Sequence, residues 1–282
     1  MPCPSVRQRS SETPMTTPTS HALDQAISLQ MTAPNRFGGH CDETYLNMVG
    51  PFGGMTAATL LNAALLHPER LGDPVSLTVN FAGPVGLGDF EIEATPLRTN
   101  RSTQHWLLLL RQNGEVMTSA TAFFASRRET WSEQAAECPP APAVDELPRM
   151  ERNERAWFRH YDMRYISGMF KPGEAEETHD SLLWVRDEPP RPLDFAALTA
   201  IGDIFAPRIF SRRQRFTPAG TVCMTHYFHA SLDDLQRTGS DFLLGQAGAS
   251  RYHHNYADQI AHLWAADGTL LLTSTQVAYF KE

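Results

Sequence analysis

PFGGMTAATLLNAALL, running from Pro51 to Leu66, contains no charged residue and reads as one helix that opens on the pair Gly53-Gly54. Its apolar residues fall on nearly every side of a 3.6-residue period, so no face suits water and the helix has to be covered all round. Strand-like runs follow it. Val75–Phe81 and Phe90–Pro96 come first, and then Gln104–Leu110 and Val116–Phe124 flank Asn113-Gly114. Asn-Gly between two such runs is a strong hairpin signal, because both turn residues must adopt positive φ. A buried helix followed by an antiparallel meander is an α+β unit in which a sheet wraps the helix.

The second half of the chain repeats this order. Leu193 to Phe210 reads as a helix with Asp194 as its N-cap, Val222–His229 as a strand, and Asp241–Gly245 leads into a longer strand. A second hairpin turns at Asp267-Gly268 and ends in Thr269–Phe280. Laying Asn113-Gly114 on Asp267-Gly268 sets Met117-Thr118-Ser119 against Leu271-Leu272-Thr273. Two such units in tandem bury both helices between two curved sheets, or pair their edges into one continuous sheet. Residues 21–126 and 151–282 form the two units. A Pro-, Glu- and Ala-rich linker (127–150) joins them, and a Ser/Thr/Pro-rich tail (1–20) reads as disordered.

Composition narrows the function classes. The 282 residues carry 24 Lys+Arg against 32 Asp+Glu, a net charge of −8 with no basic cluster, which excludes a nucleic-acid backbone binder. Cys3, Cys41, Cys138 and Cys223 show no metal-ligand spacing, so a reduced compartment and no metal are expected. No apolar run is long enough to span a membrane, and the N-terminus lacks a secretory h-region, which points to a cytoplasmic protein.

The familiar catalytic strings, GxSxG, GxxxxGK[ST], HExxH and a Rossmann GxGxxG after a strand, are absent. Gly83-x-x-Gly86-x-Gly88 lies between strands and reads as a loop, and His253-His254 as a surface or interface pair whose members face opposite sides of a strand. Asp203 stands out more. From Phe195 to Ala206 every other residue except Thr199 is apolar or Gly, and no basic residue lies three or four positions away. A carboxylate there needs hydrogen bonds or its pKa rises. It belongs either to a pocket or to a helix-terminal turn before Pro207. Gln276 interrupts the last strand at a position whose counterpart in the first half is Ala122. A duplicated scaffold keeping its chemistry in one copy has this asymmetry. Thr221 opens the strand TVCMTHYFH.

Several of these residues together resemble a family, the double-hotdog acyl-CoA thioesterases of the thioesterase II type. The likeness covers residues 30 to 282. It rests on the helix opening Phe52-Gly53-Gly54, on Phe81-x-x-Pro84 followed by Gly88-Asp89, on Arg98-x-x-Arg101-Ser102, and on Tyr227-Phe228-His229. The resemblance implies a tandem hotdog, two long buried helices each wrapped by an antiparallel sheet. It also implies hydrolysis of an acyl-CoA thioester to free acid and CoA without a cofactor. In that family an Asp, a Thr or Ser and a Gln hold the attacking water, and these positions fall on Asp203, Thr221 and Gln276. Phe52, Gly53 and Gly54 would contact substrate. CoA carries phosphates, so Arg208, Arg212, Arg213 and Arg215, just beyond the second helix, either meet them or form a solvated loop. Two departures are Cys223-Met224, where the family has Asp-His, and the differently charged Ser211–Arg215. The hydratase pattern Gly-Asp-x-Asn-Pro-x-His is absent, and a non-catalytic acyl-CoA or acyl-chain binder is the rival reading. Open sheet edges predict a homodimer or homotetramer.

Overall fold

The computed structural model describes residues 20–151, 155–173 and 178–281; most of the expected disordered tail lies outside the described residues. In the first half, α1 (Ala22–Ala26), β1 (Gln30–Ala33) and β2 (Arg36–Cys41) precede α2 (Gly53–Leu65). The meander is β3 (Asp73–Phe81), β4 (Gly88–Thr99), β5 (Thr103–Gln112) and β6 (Glu115–Ala125). The second half runs β7 (Tyr161–Ser167), β8 (Ser181–Asp187), α3 (Phe195–Ile201), α4 (Arg208–Arg213) and β9 (Ala219–Phe228). It closes with α5 (Leu232–Thr238), β10 (Leu243–Gly248), β11 (Tyr252–His253), β12 (Tyr256–Trp264) and β13 (Leu270–Phe280).

All the strands join in one antiparallel sheet of order β1-β2-β4-β5-β6-β3-β9-β13-β12-β10-β8-β7, with β11 added onto β12. Outward from the β3–β9 junction, the two halves have the same strand order. At the junction Thr78 faces Thr225 with their hydroxyls 3.0 Å apart. Thr78 also pairs with Thr121 on one side, and Thr225 with Thr275 on the other. The edges of the two units therefore pair with each other, and a single continuous sheet results.

The sheet encloses the helices. Ten of the thirteen residues of α2 are buried, Leu60 and Leu61 completely, as its all-round apolar pattern requires. All seven residues of α3 are buried, and Asp194 caps it, its Oδ1 accepting the Ala197 N–H at 2.8 Å. The helix expected from Leu193 to Phe210 is, however, broken. It stops at Ile201, passes through a turn at Gly202-Asp203, and restarts as α4 after Pro207. The helix has already ended at its Gly202 cap, and Pro207, which has no N–H and pushes Ala206 out of the helical region, keeps α4 from joining it, so the second helix is short where a long one was expected.

The segment 127–150 contains one short 3₁₀ turn and no strand, and lies along the second half. Its Cys138, Ala141, Val144 and Leu147 pack on a cluster of Trp184, Leu244 and Trp264. The Trp184 indole N–H donates to the Pro142 carbonyl at 3.0 Å. His253 and His254 also depart from expectation. The chain turns at His254-Asn255, both at positive φ, and this brings the two rings to 3.8 Å instead of setting them on opposite faces.

Candidate active site

The start of α2 meets the end of α3. A Cβ on Gly54 would come within 2.4 Å of the Ala200 carbonyl oxygen, and one on Gly53 within 2.7 Å of the Asp203 carboxylate. Only hydrogen atoms at these positions let the two helix ends approach so closely. Asp203, in the turn after α3, is thereby held against the N-terminal end of α2. Pocket and turn are thus compatible, since the turn is what aims the carboxylate.

From the opposite side Gln276 reaches in from β13. Its Nε2 donates to Asp203 Oδ1 at 2.6 Å, and its Oε1 accepts the Thr221 hydroxyl at 3.1 Å. Both ends of the amide are thereby assigned. Asp203, Gln276 and Thr221, singled out in the sequence, form one hydrogen-bonded chain. Ala122, the counterpart of Gln276 in the first half, pairs with Trp106 and Leu77, an apolar setting with no such chain.

Protein surrounds Asp203, yet part of its surface opens into a cavity. Burial raises its pKa to about 7, and the Gln276 amide and the Gly54 backbone N–H pull the other way by favouring the carboxylate. No cation enters this balance; the nearby Tyr161 phenol, itself buried, is held well above its usual range. The carboxyl therefore changes protonation near neutrality.

The cavity measures about 550 Å³. Phe52, Gly53, Thr221 and Gln276 line it beside Asp203, and Gly54 lies behind the wall. Phe52 stacks on Trp157 with ring centroids 4.4 Å apart. Phe81, Phe158, Phe205 and Phe210 make the lining strongly aromatic.

Arg208 departs from its expected role. It is 2% exposed and turned inward, its guanidinium bonded to the Ala206 carbonyl, Gln259 and Ser181. A side chain so placed does not reach out to phosphates in solvent. Gln259, the residue it holds, was not singled out in the sequence. The register supplies the missing signal, because Gln259 faces Gln276 where Trp106 faces Ala122. Reading it requires the β5/β12 alignment, and β12 carries no strong strand signature.

Comparison with known proteins adds to this geometry. A family profile described as acyl-CoA thioesterase C-terminal domain matches residues 135–280, and one described as acyl-CoA thioesterase N-terminal domain matches residues 43–125. The chain belongs to the acyl-CoA thioesterase family. Among solved structures, this thioesterase is similar to a conserved protein of unknown function with hot dog fold from Alicyclobacillus acidocaldarius. That match has 46% identity and a TM-score of 0.90, covering 94% of this chain and 99% of the other. The fold is also that of the acyl-CoA thioesterase II of Mycobacterium marinum, with 18% identity, a TM-score of 0.74, and 92% and 98% of the two chains covered. The tesB protein of Mycobacterium avium subs paratuberculosis matches to the same coverage at a TM-score of 0.75 and 18% identity. No curated protein matches the thioesterase sequence. Among its described residues, no helix is long and apolar enough to cross a membrane.

Proposed function

We propose that this thioesterase hydrolyses acyl-CoA with Asp203 as general base, positioned by Gln276 and Thr221. The observation that carries the reading is the 2.6 Å contact between Gln276 and an Asp203 carboxyl of pKa about 7 at the cavity wall. Asp203 takes a proton from water as the water oxygen attacks the thioester carbonyl. The tetrahedral intermediate expels the CoA sulfur, and Asp203 returns the proton to the thiolate. At the start of α2 the Gly54 N–H is already given to the Asp203 carboxylate, and the Gly53 N–H beside it, which has no intrahelical acceptor, is suited to the developing oxyanion. General-base assistance of this kind is worth about 10²–10⁴-fold.

Thiol release from a panel running from acetyl- to palmitoyl-CoA, with one aromatic thioester, tests the reading. Turnover of at least one member is expected, and a folded protein silent on all of them would reject it. Gln276→Ala removes the donor that favours the ionised carboxyl. It should lower kcat by about 10²-fold, by analogy with loss of one preorganised donor, and move the lower pH limb upward. A pH–rate profile of the variant with an unmoved limb would disconnect Gln276 from Asp203.

A further inference from the structure

Among the described residues the buried guanidinium of Arg208 has no carboxylate partner. Its Nε donates to Ala206 O at 3.1 Å and Gln259 Oε1 at 3.0 Å, Nη1 to Ser181 Oγ at 2.8 Å, and Nη2 to Ala206 O at 2.6 Å. These partners are neutral, and one N–H on each terminal nitrogen is left without an acceptor among the described residues. Burial lowers its pKa, opposed by the more distant Tyr165, Tyr252 and Asp180. Asp258, also at the cavity wall, gives its carboxylate to the backbone N–H groups of Ser250 and Arg251. Beside Arg208, Gln259 is 6% exposed, and its Nε2 is buried with no hydrogen-bond partner. Since its Oε1 accepts from Arg208, that nitrogen is a donor. Both residues line the cavity. A buried charge is costly unless paired, and an orphaned amide N–H adds to that cost. Where Arg208 and Gln259 meet, the cavity wall thus carries a cluster of donors whose partners among the described residues are all neutral.

Position limits what the anion can be. Gln259 and Gln276 are directly opposed on β12 and β13. One holds Arg208 and the other holds Asp203. Cross-strand partners lie about 5 Å apart on one face of a sheet. An anion on the Arg208–Gln259 donors is therefore only a few bonds from the carbonyl that faces Asp203.

Building on the proposed hydrolase, we infer that Arg208 and Gln259 form a carboxylate subsite and that the substrate is the CoA thioester of a short dicarboxylic acid. The ω-carboxylate takes the free N–H groups of both residues and neutralises the guanidinium. A chain of about four to six carbons spans the separation set by the strand spacing.

The test compares kcat/KM for succinyl-, glutaryl- and adipyl-CoA with that for butyryl-, pentanoyl- and hexanoyl-CoA. The wild type should prefer at least one dicarboxylic thioester over its methyl-ended match by 10-fold or more, a ratio in the range of one charge-assisted hydrogen bond. Arg208→Met should bring that ratio to about one or below, chiefly through KM, and Arg208→Lys should restore part of it. Gln259→Leu leaves the other Arg208 contacts in place and should reduce the same ratio. A wild-type preference for the methyl-ended series overturns the inference. So does an equal loss on both series in Arg208→Met, the signature of a contact to a CoA phosphate or to the oxyanion. Equilibrium binding of adipyl-CoA and hexanoyl-CoA to Asp203→Asn separates the two levels of argument. Hydrolysis failing everywhere would reject the catalytic reading, while the binding ratio still reports on the subsite. Equal binding would reject the subsite.

Discussion

Asp203→Asn should lower kcat/KM by about 10²–10⁴-fold on every thioester the wild type turns over. The amide keeps the shape of the carboxyl but cannot accept the water proton. Wild-type kcat/KM should rise with pH through about 7 and level off above it, because only the ionised carboxyl is a base and burial places its pKa there. The same shift has a stability consequence of definite sign. The folded-state pKa lies above the ordinary value of 3.8, so the unfolded chain ionises first as pH rises. Stability from this group is complete below pH 3.8 and is lost as pH rises toward 7. Asp203→Asn should therefore gain stability relative to wild type between pH 5 and pH 8, most at the upper end. Asp187, buried and likewise raised to about 7, weakens both proteins in parallel and leaves the difference to Asp203. Urea melts at the two pH values with thiol release on the same samples measure both effects. A variant that keeps more than a tenth of wild-type turnover would remove Asp203 from the base role.

Gly54→Ala should be the most damaging single methyl group at the site. The added carbon would sit 2.4 Å from the Ala200 carbonyl oxygen, and a backbone oxygen in a capped, fully buried helix cannot swing aside. Overpacking of this kind costs about 1–3 kcal/mol. Displacing the end of α3 also displaces Asp203, and an error of about 1 Å in a reacting group can cost 10²-fold in rate. Gly53→Ala makes a useful contrast. Its added carbon meets the Asp203 carboxylate at 2.7 Å, a side-chain atom that can rotate. Activity should fall there with a smaller loss of stability. Chemical denaturation and kcat/KM for both variants check the pair, and a Gly54→Ala protein as stable and active as wild type would refute the close docking of α2 on α3.

Local chemistry was enough to read α2, the Asp194 cap and the hairpins at Asn113-Gly114 and Asp267-Gly268. Each depends on residues a few positions apart. Asp203 and Gln276 were legible for a related reason: each is a polar residue in a run that has no local use for one. The repeat also exposed the asymmetry between Gln276 and Ala122. The capping box of Ser231 and Asp234, which starts α5, was equally local and went unread. β1, β2, β7 and β8 were missed because they take their order from neighbours distant in sequence.

The amino-acid sequence alone determined an α+β duplication, a helix that must be buried, and an acid and an amide lodged among apolar residues. Tertiary structure alone decided that Thr78 pairs with Thr225 to make one sheet, that α3 ends in time to turn Asp203 toward Gly54, and that Arg208 faces inward onto Gln259. The division follows sequence distance. Propensity, capping and turn chemistry act within a few residues, whereas strand pairing and the burial of a charge depend on which distant segments happen to meet.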